Sequence, residues 1–380
     1  MLNLPPLEKI RHGAKTALIV VFMVLLWLPT LDKFCHWDET PQVIEKRALA
    51  PFPALQHGFS GFRDFAAGWE AYYDDHFGFR RRLIYWGQRW RHSWFQESSH
   101  QTVMVGRHDW LFYSDDQTIE DIRATKPFGR GKLEAWKSLL ESRRDWLAKR
   151  NIHYLFVVPP DKHSVYPEYL PDWIKRVGPQ TKLDEFVNYM KASSTVPVLD
   201  LRPALLRAKP AGVTYLRTDT HWNQYGAFIG CQELIGTLSR QMPGLEPLPI
   251  DAFEMRTVSQ PGGNLAAMLA QRATILERDC PTLTPRPPLQ PLPATRTGAT
   301  TLRTDNSRGK GKAVIFRDSF SEAWIPFIGY HFNQVIYCWQ YNWDARLIER
   351  EKPDVVIDEM LEHYFYGQDP GSLKLADHLE

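Results

Sequence analysis

The chain has 380 residues, 43% of them hydrophobic and 24% charged, so it is long and apolar enough to bury one large core. Its formal net charge of +2 argues against a nucleic-acid-binding surface. Its 13 histidines form no HExxH motif and no cluster with cysteine, and no glycine-rich phosphate loop follows an expected strand. We therefore predict no metal site, no cofactor and no nucleic-acid partner.

A basic segment followed by an apolar one opens the chain. Lys9, Arg11 and Lys15 precede an apolar run from Ala17 to Leu28, and no small-residue cleavage site follows. This pattern favours an uncleaved signal-anchor over a cleaved signal peptide. The run is short for a span of roughly 20 residues, so we expect 14–34 to take part. A buried helix of a soluble domain is the alternative, and the lack of a polar face disfavours it.

These features suggest how the chain is divided. Positive charge before a span keeps the amino terminus in the cytoplasm and exports the rest. We predict that residues 1–36 are a cytoplasmic tip and transmembrane signal-anchor and that residues 37–57 are a stalk. Residues 58–380 are expected to form one exported domain.

Helical and strand patterns alternate in this domain. Helices are predicted at 60–78 (with Ser60 as the cap), 80–96, 131–149, 182–193, 223–240 and 344–351. Strands are predicted at 103–105, 110–113, 152–158, 196–199, 314–318, 334–337 and 354–357. Such alternation predicts an α/β fold, with a mostly parallel sheet flanked by helices on both faces.

Residues 242–312 interrupt the alternation. This stretch contains Gly262-Gly263-Asn264, then a proline cluster, then a polar and basic segment. We interpret it as a long surface excursion of the same domain, part of it poorly ordered. The cysteines show no CxxC spacing, and we expect at most one disulfide, with Cys280 as the candidate.

Two short stretches carry residues suited to acyl transfer. An apolar, β-branched run beginning at Val314 stops at Ser319, and a helix-compatible segment follows. A serine on a strand-to-helix turn exposes its hydroxyl, and the helix N-terminus can stabilise an oxyanion. Asp219 and His221 are two residues apart, so in extended backbone both side chains leave the same face. The histidine can then deprotonate the serine while the carboxylate orients it. The alternative is a structural turn at Asp219–Trp222 and a helix cap at Asp318–Ser319.

The chain resembles a known family, the alginate O-acetyltransferases of the AlgJ and AlgX type, which have an SGNH-hydrolase-like domain. The matching motifs are 105–113, 158–162 with 166–168, Asp219-Thr220-His221-Trp222, Arg317-Asp318-Ser319-Phe320 and 353–359. The resemblance implies O-acetylation of an exported polysaccharide, with the acetyl group carried briefly on Ser319. Acetyl-CoA is not expected outside the cytoplasm, so it also implies a partner, a polytopic membrane acyltransferase that donates acetyl groups. It places the anchor in the inner (cytoplasmic) membrane and the catalytic domain in the periplasm. We expect no carbohydrate-binding domain after the catalytic one, unlike AlgX.

Other residues are weaker candidates. Lys162 follows a predicted strand and could hold a sugar carboxylate, orient a loop or be simply solvated. Asn264 and Arg346 are candidate oxyanion donors, although turn formation explains Asn264 equally well. Asp318 is expected to brace the serine turn through backbone N–H groups.

The sequence leaves two other functions open. A carbohydrate acetylesterase would use the same residues with water in place of the sugar hydroxyl. A non-catalytic scaffold of an export complex would keep only the fold.

Overall fold

The computed structural model describes residues 7–35, 37, 49–55, 58–80, 82–83, 87, 102–269 and 271–373. These residues fall into two compact units, one within 1–99 plus 267–271 and the other within 100–266 plus 272–380. Most of the predicted stalk and most of the helix predicted at 80–96 lie outside the described residues. The domain boundaries at 36 and 57 therefore remain predictions.

The helices are α1 (Leu7–Cys35), α2 (Phe59–His76), α3 (Asp116–Ile122), α4 (Arg130–Ala148), α5 (Lys162–Val165), α6 (Lys182–Ser193), α7 (Arg202–Ala208), α8 (Gln224–Leu238), α9 (Asn264–Met268), α10 (Ile325–Ile328), α11 (Ala345–Glu351) and α12 (Glu362–Gly367). The strands are β1 (Val103–Val105), β2 (Leu111–Tyr113), β3 (His153–Val158), β4 (Val198–Asp200), β5 (Phe253–Pro261), β6 (Leu276–Pro285), β7 (Thr295–Arg296), β8 (Thr301–Asp305), β9 (Lys312–Arg317), β10 (Gln334–Trp339) and β11 (Val355–Glu359).

The first unit contains the apolar amino-terminal helix. Within the described residues, Lys15–Lys33 of α1 is the helical segment long and apolar enough to cross a membrane, a criterion that a signal sequence also meets. Large apolar side chains such as Leu18 and Phe22 are exposed, unlike those of a core helix. α2 begins one residue before the predicted cap, because Gly58 occupies the N-cap position and not Ser60.

The second unit is built on a central mixed sheet. Its strand order is β4-β3-β11-β9-β10-β8-β7; the first five strands are parallel, and β8 and β7 are antiparallel at one edge. The middle strands are continuously apolar, as expected where helices cover both faces. Alternate residues of β9 pack on opposite faces of the sheet. Ile315 belongs to one buried cluster, and Val314 and Phe316 belong to the other. The predicted mostly parallel sheet is confirmed.

Helix starts in this unit carry the caps that their sequences suggest. Thr181 and Asp184 form a reciprocal capping box at α6. Asn223 accepts from the Gly226 N–H at the start of α8, as predicted. Asp344 caps α11 in the same way. These local signals explain why the ends of these predicted helices differ from the observed ends by at most two residues.

The 242–312 stretch is more regular than predicted. β5 and β6 pair as a long antiparallel ribbon, from Phe253 opposite Pro285 to Pro261 opposite Leu276. β7 and β8 extend the central sheet beyond β10. Prolines within the ribbon and the exposed, polar character of these strands hid the strand pattern. The four cysteines are free, so the possible disulfide at Cys280 is not formed.

Candidate active site

The structure brings the two signature stretches together beyond the carboxyl end of β9. The His221 Nε2 atom lies 2.9 Å from Ser319 Oγ, although the residues are 98 positions apart. The His221 Nδ1 atom lies 2.7 Å from Asp219 Oδ1. The side chains of His221 and Ser319 are partly exposed, so a substrate can reach them. The arrangement is a serine, a base and a carboxylate connected in one chain of hydrogen bonds.

Asp219 is held in its ionised form. Burial acts to raise its pKa, but hydrogen bonds from His221 and from the Asn264 N–H outweigh burial and lower the pKa to about 2. An ionised carboxylate only accepts hydrogen bonds, so the Nδ1 atom of His221 carries the proton. Nε2 is then left as an acceptor facing the serine hydroxyl. This is the tautomer that a general base requires.

Acidic side chains hold the backbone turn that carries Ser319. Asp318 accepts hydrogen bonds from the N–H groups of Phe320 and Leu361 and from the Tyr341 hydroxyl, which confirms its predicted bracing role. The buried Glu359 accepts from the Asp318 N–H at 2.9 Å. Burial and the nearby Asp318 raise the pKa of Glu359 well above its usual value, which favours its neutral form. These contacts fix where Ser319 points.

Lys162 supports the loop that carries Asp219. Its Nζ atom donates to the carbonyl oxygens of Leu216, Arg217 and Asp219 at 3.0, 2.9 and 2.7 Å. The side chain is buried, so the reading as a solvated lysine is wrong, and its three donors already have partners. Burial lowers the pKa of Lys162 to about 7, and the nearby carboxylates of Asp219 and Glu277 partly offset that effect. The loop-orienting alternative is therefore the one that the geometry supports.

A family comparison agrees with this geometry. The family model described as the SGNH hydrolase-like domain of the acetyltransferase AlgX matches residues 103–306, which is more than half of the chain. The chain belongs to this family. The matched range contains Asp219 and His221 but ends before Ser319. The predicted SGNH-hydrolase-like α/β fold is confirmed.

Individual relatives of this AlgX-family chain match parts of it. Two curated proteins bear the name probable alginate O-acetylase AlgJ. That of Azotobacter vinelandii is 28% identical over 161 residues, covering 42% of this chain and 39% of the relative. That of Pseudomonas putida is 30% identical over 142 residues, covering 37% and 34%. The match thus spans less than half of the curated relatives' length. PatB1 of Bacillus cereus superimposes with a TM-score of 0.54 at 15% identity, covering 72% of this chain and 99% of that chain, which supports the fold.

Two other predicted site residues have different surroundings in this AlgX-family domain. The Asn264 side-chain amide donates to Thr220 Oγ1 at 2.8 Å, and its side-chain oxygen accepts from the Thr220 N–H at 2.9 Å. Asn264 thus braces the loop around His221, and its amide already has a partner. Arg346 lies exposed on α11, and no hydrogen bond between the described residues joins it to Ser319. Neither arrangement supports the expected oxyanion role.

Residues that the sequence analysis missed also hold the loop of this AlgX-family site. Glu277 of β6 is buried and accepts from the N–H groups of Arg217 and Thr218 at 2.7 and 2.8 Å. The N–H of Gly263 donates to Thr218 Oγ1, and a methyl group at Gly263 would overlap the Asp219 side chain. The Gly262-Gly263 pair was a visible signal of close approach, whereas nothing in the sequence pointed to Glu277.

Proposed function

We propose that this protein is an O-acetyltransferase that carries the acetyl group on Ser319. The single observation that supports this most is the 2.9 Å contact between His221 Nε2 and Ser319 Oγ, with Nδ1 held by Asp219. In the first step His221 takes the Ser319 hydroxyl proton while Oγ bonds to the acetyl carbonyl carbon. The bond to the donor's leaving group breaks, and His221 returns the proton to that group.

The second step reverses the first with a different nucleophile. His221 deprotonates a sugar hydroxyl, whose oxygen attacks the acetyl-serine, and Ser319 Oγ leaves with the proton. Both steps form an oxyanion that needs a donor. The Phe320 N–H already donates to Asp318, whereas that of Ser319 has no hydrogen-bond partner within the part of the chain that the structure describes. We assign the Ser319 N–H as one oxyanion donor.

The proposed acceptor is an exported polysaccharide, and the proposed donor is a polytopic membrane acyltransferase. The names of the AlgJ relatives support O-acetylation of alginate or a similar polymer. The apolar segment Lys15–Lys33 supports a single-pass anchor in the inner membrane, with the site on the periplasmic side. An anchored enzyme outside the cytoplasm has to receive acetyl groups from a protein that crosses the membrane.

An exposed tryptophan next to the serine strand supports a sugar acceptor. Trp339, at the end of β10, is paired in register with Arg317 of β9 and is 45% exposed. The Arg317 guanidinium lies 4.5 Å from the centre of the indole ring and also donates to the Asp318 carbonyl oxygen. This stacking holds Trp339 beside the Ser319 turn. The indole face is a suitable surface for an apolar sugar face.

A covalent probe tests the catalytic assignment. We expect a fluorophosphonate to label the purified chain on a single serine, identified by mass spectrometry as Ser319. Ser319→Ala should abolish labelling, and His221→Ala should slow it by roughly a thousandfold because the base is lost. Ser142→Ala, which alters an exposed serine on α4, is the control. Equal labelling of the Ser319→Ala variant would contradict the proposal.

A second measurement separates transfer from hydrolysis. With a small acetyl ester as donor, we expect acetylated oligosaccharide to exceed free acetate. Trp339→Ala should lower kcat/KM for transfer by roughly tenfold, corresponding to about 1.4 kcal/mol of lost contact with the sugar. Donor hydrolysis should be unchanged. Trp173→Ala alters another exposed tryptophan and serves as the control. Acetate as the only product would show an esterase instead.

A further inference from the structure

A second buried cluster of ionisable side chains lies apart from the Ser319 triad. Asp121 comes from α3, His163 from α5 and Glu362 from α12. One ligand atom of each lies within 4.8 Å of the others. All three residues are more than nine-tenths buried. The fold thus gathers three potential metal ligands from positions that are distant in the sequence.

Each of these residues has a buried polar atom without a hydrogen-bond partner. The atoms are Asp121 Oδ2, His163 Nε2 and Glu362 Oε1. The other oxygen of each carboxylate is held by a backbone N–H, that of Lys182 for Asp121 and that of Asp161 for Glu362. Buried polar atoms normally have partners, so three orphans in one cluster require an explanation.

The charges around the cluster leave room for a divalent cation. Asp161 is paired with His363 at 2.6 Å, and Arg202 is paired with Asp184 and Asp200. No cationic side chain among the described residues is hydrogen-bonded or ion-paired to Asp121 or Glu362, although Lys182 attracts Asp121 and Arg202 attracts Glu362 over a longer distance. One divalent ion would offset both charges.

We propose that Asp121, His163 and Glu362 form a structural site for a divalent transition-metal ion such as Zn²⁺. One imidazole and two carboxylates suit zinc better than magnesium or calcium, which prefer oxygen ligands only. Zinc bonds to nitrogen and oxygen at roughly 2.0–2.2 Å in a tetrahedral arrangement, so two of its ligands lie roughly 3.4 Å apart. The ligand atoms of Asp121, His163 and Glu362 lie within 4.8 Å of one another, so they would have to approach by at most roughly 1.4 Å on binding.

One member of the cluster borders a cavity, and a neighbouring residue connects the cluster to the triad. A cavity of about 560 Å³ is lined by His163 and by Ile122, which follows Asp121. His163 follows Lys162, whose side chain holds the loop that carries Asp219. An ion that fixes α5 would therefore steady the support of the triad without touching the substrate. This role goes beyond the proposed acetyl transfer.

Metal binding to the full chain tests the site. The tag-free protein in detergent is stripped with a chelator and titrated with Zn²⁺ against a chromophoric competitor. We expect about one tight equivalent per chain, and a rise of several degrees in Tm when zinc is in large excess. His163→Gln and Asp121→Asn should each weaken binding by roughly tenfold or more. His153→Gln, which alters an exposed histidine on β3, should not.

Opposite results would overturn the site. No tight equivalent in the wild-type chain would show that the two carboxyls share protons instead. Unchanged affinity in both variants would place the zinc elsewhere. If the variants do not fold, pulsed EPR of the wild-type chain loaded with one Cu²⁺ decides: a spectrum without imidazole nitrogen coupling refutes the assignment. The Ser319→Ala variant should bind zinc normally, so this test is independent of the acetyl-transfer proposal.

Discussion

Lys162 shows how one buried side chain can organise a catalytic loop from outside the reacting groups. Three carbonyl oxygens converge on its ammonium group, and no other cation can enter that space without displacing it. These carbonyls belong to Leu216, Arg217 and Asp219. The lysine therefore fixes the backbone that carries the Asp219 carboxylate. Lys162 is a positioning residue and does not contact the acetyl group.

Replacing Lys162 by methionine should uncouple the loop. Lys162→Met keeps the length and the apolar stem but leaves three buried carbonyl oxygens without a donor. We expect the free energy of unfolding to fall by about 3 kcal/mol and the rate of Ser319 labelling to fall at least roughly tenfold. Urea unfolding and fluorophosphonate labelling rates measure the two effects. Lys191→Met, on the exposed side of α6, is the matched control. A Lys162→Met protein as stable and reactive as the wild type would contradict this role.

At this scale the sequence predicted the candidate triad but not its supports. Ser319 could be predicted because an apolar strand ends there. Asp219 and His221 could be predicted because residues two apart in extended backbone point to the same face of the strand. The role of Lys162 was ambiguous because its partners are backbone carbonyls. Every residue has such a carbonyl, so no residue type in the sequence indicates the contact. Asn264 was only a candidate oxyanion donor, with turn formation as the alternative, because its partner Thr220 is 44 residues away in the sequence.

The β5–β6 ribbon is the element that most changes the picture drawn from the sequence. It comes from the stretch expected to be an irregular excursion, yet β6 supplies Glu277 to the catalytic loop. One carboxylate satisfies two adjacent backbone N–H groups and the Thr218 hydroxyl, which holds the loop against the ribbon. Lys162 thus binds the carbonyl groups of the catalytic loop, and Glu277 binds the N–H groups of the same loop.

A change in the ribbon should therefore affect chemistry at Ser319. Glu277→Gln preserves size but turns one acceptor into a donor, which then faces an N–H group. We expect an unfolding free energy lower by about 2 kcal/mol and slower acyl transfer, because a buried donor loses its acceptor. Glu254→Gln, an exposed change in the same ribbon, provides the comparison. Equal stability and transfer rates in the two variants would show that the ribbon does not hold the loop.

Element types in the α/β core were predictable and the ribbon was not, for a physical reason. Helix caps such as Thr181 and Asn223 and the apolar run of β3 are local signals. The ribbon is defined by pairing between residues that lie 15 to 32 positions apart, and most of its side chains are exposed. Such strands lack the periodic burial that a sequence pattern can reveal.

On the scale of the whole molecule, the proposed function needs the catalytic domain outside the cytoplasm and close to a membrane. The described residues include one helix that meets the length and composition requirement, Lys15–Lys33. A cleaved signal sequence would satisfy the same requirement. Membrane attachment is therefore a prediction, and experiment can distinguish it from cleavage. The alternating pattern predicted the sheet, but the order of its strands depends on contacts between distant segments.

We expect the expressed full chain to remain in the inner-membrane fraction after an alkaline carbonate wash. Intact-mass analysis should find residues 1–36 present, since an uncleaved anchor retains them. Replacing residues 1–36 by a cleavable signal peptide should release the protein into the periplasm with Ser319 still reactive to the phosphonate. A soluble native protein that lacks its first residues would show cleavage and refute the anchor.

The position of β11 has a consequence for the timing of activity. Among the strands that the structure describes, β11 is the last, and it joins β3 to β9 by pairing with both. A chain that has emerged only as far as residue 350 therefore has its early and late strands as two unjoined halves. Such an intermediate also lacks Glu359 and Leu361, which hold Asp318 next to the nucleophile. If the chain is an exported enzyme, as proposed, we expect it to gain activity only after residues 355–359 have crossed the membrane and joined the sheet.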